Sequence, residues 1–122
     1  MTTAAEFEKQ YLLTWTESDP VARLSIIDQI WCKNGRIVIS SLGSNIQGID
    51  EIAAHITHVH EESIIKKGLH FIYDQHAEAG GALLLRWSIL TSSGSTASRG
   101  VDMIFRNQDG RVETVYMFVG IE

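Results

Sequence analysis

The chain has little cysteine, little proline and few cations. A single cysteine, Cys32, leaves no intramolecular disulfide framework. One proline among 122 residues, with 44% apolar content, excludes a proline-rich disordered composition. Ten Lys and Arg stand against fifteen Asp and Glu, a net charge of −5. The only adjacent basic pair is Lys66-Lys67, so the clustered positive charge that nucleic acid or an anionic membrane surface requires is missing. No apolar run approaches the ~18 residues of a membrane span. The stretch MTTAAEFEKQ lacks the basic and apolar regions of a secretory signal. Neither a phosphate-cradling glycine motif nor a serine nucleophile elbow is present. These absences predict a cytoplasmic protein of one domain, residues 1–122. At this length a core can bury roughly two-thirds of the unfolded chain's surface.

What is present is a clear order of periodicities. Thr3 and Glu6 have capping-box spacing, and Phe7, Tyr11, Leu12 and Trp15 follow at helical spacing, predicting a helix over 4–17. Ser18 or Asp19 caps a second helix with Pro20 in its first turn. Leu24, Ile27, Ile30 and Trp31 form its buried stripe, and Asn34-Gly35 ends it, predicting 20–33. A short strand over 36–41 and a turn over 43–48 lead to a third helix, 50–67, stopped by Gly68. Beyond Gly68 the pattern alternates, in segments 69–77, 82–92, 96–107 and 111–120. Gly80-Gly81, Ser93-Gly94-Ser95 and Asp109-Gly110 join them as hairpin connections. Four strands so joined make an antiparallel meander with the helices on one side, an α+β class.

The order helix–helix–short strand–helix–four long strands resembles the nuclear transport factor 2-like cone. The residues that carry the likeness to its SnoaL-like branch are Trp15 with Asp19 and Arg23, Trp31, Gly48, His55-Ile56, His76, Arg86-Trp87, Gly100-x-Asp102 and Asp109-Gly110-Arg111, with Phe118-Val119-Gly120 at the end. The resemblance covers essentially the whole chain. It implies three N-terminal helices on a curved antiparallel sheet enclosing an apolar pocket. It does not imply one function, because the fold hosts isomerases, cyclases, dehydratases, epoxide hydrolases and non-catalytic binders.

Asp102 is the foremost candidate for chemistry. Alternation puts Gly100, Asp102 and Ile104 on one face of an apolar strand. A carboxyl there needs a partner, such as Arg86 or Arg99, or stays protonated with a raised pKa. Tyr11 matches the oxyanion-donating tyrosine of the ketosteroid isomerases, and Asp102 falls at their oxyanion-hole acid. Where those isomerases carry the general base, this chain has Ile39 and Ser40, which accept no proton. A base would have to come from His76, Asp74 or a histidine of the third helix. Catalytic candidates are therefore Asp102, Tyr11 and His76. Trp15, Trp31, Arg86, Met117 and Val119 are the expected substrate-binding residues.

His55, His58 and His60 invite a metal reading, but His60 points away from the other two around a helix, and no metal or cofactor is expected. Cys32 reads as an inert thiol. Both faces of the Leu83–Leu90 strand are mainly apolar, so a homodimer through the outer β face, including Trp87 and Phe118, is expected. Three functions remain open. One is a cofactor-independent isomerase or cyclase acting on a small apolar carbonyl compound through Asp102 and Tyr11. The second is a non-catalytic ligand-binding or dimerising module that lacks the base. The third is a protein-interaction adaptor, which needs only the outer β face.

Overall fold

The computed structural model describes residues 3–40 and 43–121. Thr3 accepts a hydrogen bond from the Glu6 amide (3.1 Å) and opens α1, Ala4–Thr16. Asp19 accepts from the Val21 amide (3.1 Å) ahead of α2, Pro20–Ile30, with Pro20 in its first turn. β1 (Trp31–Ile39) and β2 (Ser44–Gln47) form a hairpin that leads into α3, Ile49–Val59. The last turns of this third helix widen into a π-helical segment, His60–Ile65. The meander follows as β3 (His70–Ala79), β4 (Ala82–Leu90), β5 (Thr96–Arg106) and β6 (Val112–Val119).

All six strands join in one sheet, in the order β2-β1-β6-β5-β4-β3. Every pairing is antiparallel except β1 with β6, which is parallel. Three helices pack on this curved, unclosed mixed sheet, as the α+β reading expects. No helix among the described residues is long and apolar enough to cross a membrane.

Three expectations about elements change. The second helix stops at Ile30, and the chain is already a strand from Trp31, so Asn34-Gly35 lies inside β1 instead of capping a helix. Pairing with β6 outweighs the local breaker signal there: Trp31 lies opposite Val112, and the register slips before Arg36 resumes opposite Thr114. The stretch read as a turn, 43–48, contains β2. Ser41, expected at the end of the short strand, is outside the described residues. Along α2 the inward stripe is Arg23, Ile27 and Ile30, while Leu24 is exposed.

The inner face of the sheet and the helices share one cluster, in which Phe7, Tyr11 and Trp15 of α1 meet Trp31, Ile37 and Ile39 of β1 and Leu83, Leu85 and Ile104 of the meander. Trp87 belongs to this inner face too. Its register partner on β5 is Gly100, which leaves its indole free to lie across that strand. A Cβ on Gly100 would fall 2.2 Å from the Trp87 ring and 2.4 Å from the Phe118 carbonyl oxygen. The outer-face assignment of Trp87 is thereby corrected, since Trp87 alternates with the buried Leu83 and Leu85, and Leu84 and Arg86 are the residues that turn outward. We expect Gly100→Ala to destabilise the fold by at least ~2 kcal/mol, because one obstacle is backbone and cannot move away. Urea unfolding would show this as a lowered midpoint; a midpoint equal to that of the parent chain would contradict the packing described.

Candidate functional site

The C-terminal end of α1 is held by side chains of two other elements. The last carbonyls of a helix have no partner within it. Here His60, from the π-helical segment, donates from Nδ1 to the Trp15 carbonyl at 2.7 Å. Arg23 of α2 donates to the Glu17 carbonyl at 2.8 Å. Both donors are buried, and a cation at a helix C-terminus also meets the negative end of its dipole. The helix that carries Tyr11 and Trp15 is thus held at its far end by two different elements.

Between α1, α3 and the inner face of the sheet lies a cavity of about 110 Å³. Leu12 and Trp15 line it from α1, His55 and Val59 from α3, and Phe71, Ile72 and Tyr73 from β3. Trp87, Ser88 and Ile89 of β4, Asp102 of β5 and Met117 of β6 complete it. The walls are almost wholly apolar, and neither Lys nor Arg lines them.

Asp102 is 2% exposed. No arginine reaches it; its hydrogen-bond donor is the Trp87 indole, with Nε1 to Oδ1 at 2.9 Å. Burial pushes its carboxyl up from 3.8 to about 7, with the indole hydrogen bond opposing only part of that rise. Near neutral pH this is a carboxylic acid able to donate a proton or a hydrogen bond. Leu85 and Met117 are its cross-strand neighbours, so the surrounding sheet offers no compensating charge.

Two tyrosines stand beside this acid. Tyr11 is fully buried, stacked on Phe7 (5.7 Å between centroids) and on Tyr73 (6.2 Å). Its hydroxyl finds no hydrogen-bond partner among the described residues. Burial raises both tyrosine pKa values well above 10, the charge of an ionised Asp102 raises them further, and the nearby Trp15 indole offsets part of the rise at Tyr11. Both phenols therefore keep their protons and can act only as neutral donors or acceptors. Alternation along β3 puts Tyr73 on the face of Phe71, a signal in the sequence that points to this residue too.

His55 sets its ring edge-on to Trp15, at 90° and 6.0 Å. Burial, and then the neighbouring His58, push its pKa below the ordinary 6.5, so the imidazole is neutral at pH 7. His58 is exposed and His60 is committed to Trp15, so the three histidines do not converge. Among the described residues no group of three or more His, Cys, Asp or Glu is placed to hold a metal ion.

The other sequence candidates divide. Trp15 and Met117 line the cavity with Asp102. Val119 shares the face of Met117, opposite Gly100, and packs on the core outside the lining. Trp31 lies deeper, 6.1 Å from the Tyr11 ring, and Tyr11 itself sits behind the lining. Arg86 is on the opposite face of β4, paired with Gln75 and Val101, and so does not reach the cavity. A bulge after Tyr73 brings His76 opposite Leu85, yet it sits outside the lining, with Nδ1 2.7 Å from Oε2 of Glu8. Asp74 accepts from Ser88 (2.5 Å) and is 3.8 Å from Arg99. Cys32 is on β1 instead of at a helix end; Asn107 donates to its sulfur at 3.1 Å, and burial pushes its thiol pKa up.

No family model matches the chain, and no curated protein sequence matches it significantly. Solved structures do. A SnoaL-like family protein of Agrobacterium tumefaciens, provisionally named an isomerase, is 26% identical with a TM-score of 0.77, the match covering 91% of this chain and 92% of that one. A nuclear transport factor 2-like protein of unknown function from Exiguobacterium has a TM-score of 0.70 at 19% identity, over 91% and 95% of the two chains. A SnoaL-like protein of unknown function from Burkholderia thailandensis has a TM-score of 0.67 at 14% identity, over 98% of each. Element order, sheet topology and these likenesses agree on a SnoaL-like, nuclear transport factor 2-like fold.

Proposed function

We propose that the cavity binds a small, neutral, apolar carbonyl compound and that Asp102, with Tyr11 behind it, stabilises negative charge on the carbonyl oxygen. The observation that carries this reading is a buried carboxyl at the wall of an apolar cavity, with a pKa near 7 and one indole as its only described partner. A protonated acid there is a preorganised donor toward developing charge, worth most where water is excluded. The unpartnered Tyr11 hydroxyl supports the same reading. A buried polar group without a hydrogen bond costs about 1–3 kcal/mol, a cost that a ligand oxygen meeting this hydroxyl would relieve. The chemistry that fits is isomerisation or cyclisation through an enol, without a cofactor. The provisional isomerase name of the Agrobacterium relative points the same way.

The test uses 2-naphthol, a planar neutral mimic of an enol, with binding followed by its fluorescence. Asp102→Leu should weaken binding by about tenfold or more, the worth of a strong buried hydrogen bond. Equal affinity in parent and variant would overturn the reading.

One observation favours a plainer second reading, a binding module without catalysis. Ile39 is buried in the core, and Ser40 Oγ accepts from the Val119 amide at 3.1 Å, so no base stands where the isomerases carry theirs.

We also propose a homodimer through the outer β face. Met103 and Tyr116 face outward there, beside the exposed Phe105 and Phe118, with Arg36 stacked on the Tyr116 ring at 5.9 Å. Sedimentation at micromolar concentration should give twice the chain mass, and Phe118→Glu should return the monomer. A monomeric parent chain would contradict it.

A further inference from the structure

We infer that His55 is the general base of this cavity, taking the proton that Ile39 and Ser40 cannot. The inference rests on the carbonyl reading above and names the missing half of its chemistry. Elimination leads to it first. His76 is tied to Glu8, and Asp74 is tied to Ser88 and Arg99. His60 Nδ1 is committed to the Trp15 carbonyl, and His58 is exposed outside the lining. His55 alone among the histidines lines the cavity, and among the described residues neither of its ring nitrogens makes a hydrogen bond.

Placement supplies the rest. α3 turns His55 inward with Val59 one turn on, and its ring meets the Trp15 ring at a right angle. Asp102 approaches the same space from β5. The titratable groups around His55 are His58 on its own helix, Tyr73 from β3 and Asp102 from β5; α1 contributes only Leu12 and Trp15. Between the lowered pKa of His55 and about pH 7 the imidazole is unprotonated while the acid across the cavity holds its proton, the pairing of states that a base and an acid need.

The step is a proton transfer next to a carbonyl. The C–H bond adjacent to the carbonyl breaks and its proton passes to an imidazole nitrogen of His55. The released pair becomes a C=C bond, and the carbonyl π pair moves onto oxygen, which takes the Asp102 proton. Reversal at the same carbon gives exchange; delivery to the far end of a conjugated system gives isomerisation. Asp102 recovers its proton in either case, so no oxidant or reductant enters.

The experiment follows deuterium entry from D2O into 2-tetralone by NMR, alongside 2-naphthol binding. The parent chain should catalyse exchange with a bell-shaped pH profile, rising below pH 6.5 and falling near 7. His55→Gln should slow exchange about a hundredfold or more while 2-naphthol affinity stays within about threefold. His58→Gln removes a neighbour that depresses the His55 pKa, so the acid limb should move to higher pH; this variant decides the matter if His55→Gln does not fold. Exchange unaffected by His55→Gln, or an acid limb unmoved by His58→Gln, overturns the inference. A parent chain that binds 2-naphthol but gives no exchange overturns it too and leaves the binding reading standing. Failure to bind 2-naphthol overturns both.

Discussion

The hydrogen bond from the Trp87 indole to Asp102 is the interaction on which the site depends. It exists because Gly100, the register partner of Trp87, has no side chain, so the indole can lie over β5 and reach the carboxyl two residues along. It is a single neutral donor, where an ionised buried carboxylate needs a cation or several donors. The outcome is a carboxyl held in place but left largely uncompensated, and burial turns it into an acid near neutrality.

The helices complete this arrangement. His60 and Arg23 secure the C-terminal end of α1, which fixes Trp15 over the cavity and Tyr11 behind it. α3 brings His55 to the same space. With no lysine or arginine in the lining, nothing there would offset the desolvation of a carboxylate or phosphate, which is why the proposed ligand is a neutral molecule. His60, where α3 passes into the π-helical segment, reaches the Trp15 carbonyl, so one helix serves the end of another.

Much of this was legible in the residues. The change of period at Gly68 separates helices from meander, and alternation alone puts Asp102 inward with Gly100 and Ile104. Pairing between distant segments was not legible. The parallel docking of β1 on β6 begins at Trp31 and overrides the Asn34-Gly35 breaker, and β2 exists only because β1 gives it a partner. The Leu83–Leu90 run is apolar on both sides, so alternation alone points Trp87 to neither face. Only the register with Gly100 decides which side holds the indole. Arg86 and His76 were candidates by residue type; face and a bulge in β3 removed them from the lining. Alternation puts Tyr73 on the face of Phe71, but its stacking on Tyr11 depends on neighbours across space that one strand does not reveal.

The central claim is that Asp102 holds a proton in the folded chain that it would lose when unfolded. Between the unfolded value of 3.8 and the folded value of about 7 the native state binds one more proton than the unfolded state. Stability must therefore fall as pH rises through that window, by about 1.4 kcal/mol per pH unit. The measurement is urea unfolding from pH 4 to pH 8 for the parent chain and for Asp102→Asn, taken as a difference so that the other titrating groups cancel. The account predicts that the parent chain's stability relative to the variant declines across this window and levels off above pH 7. A difference independent of pH would show Asp102 ionised in the folded protein and would contradict the account.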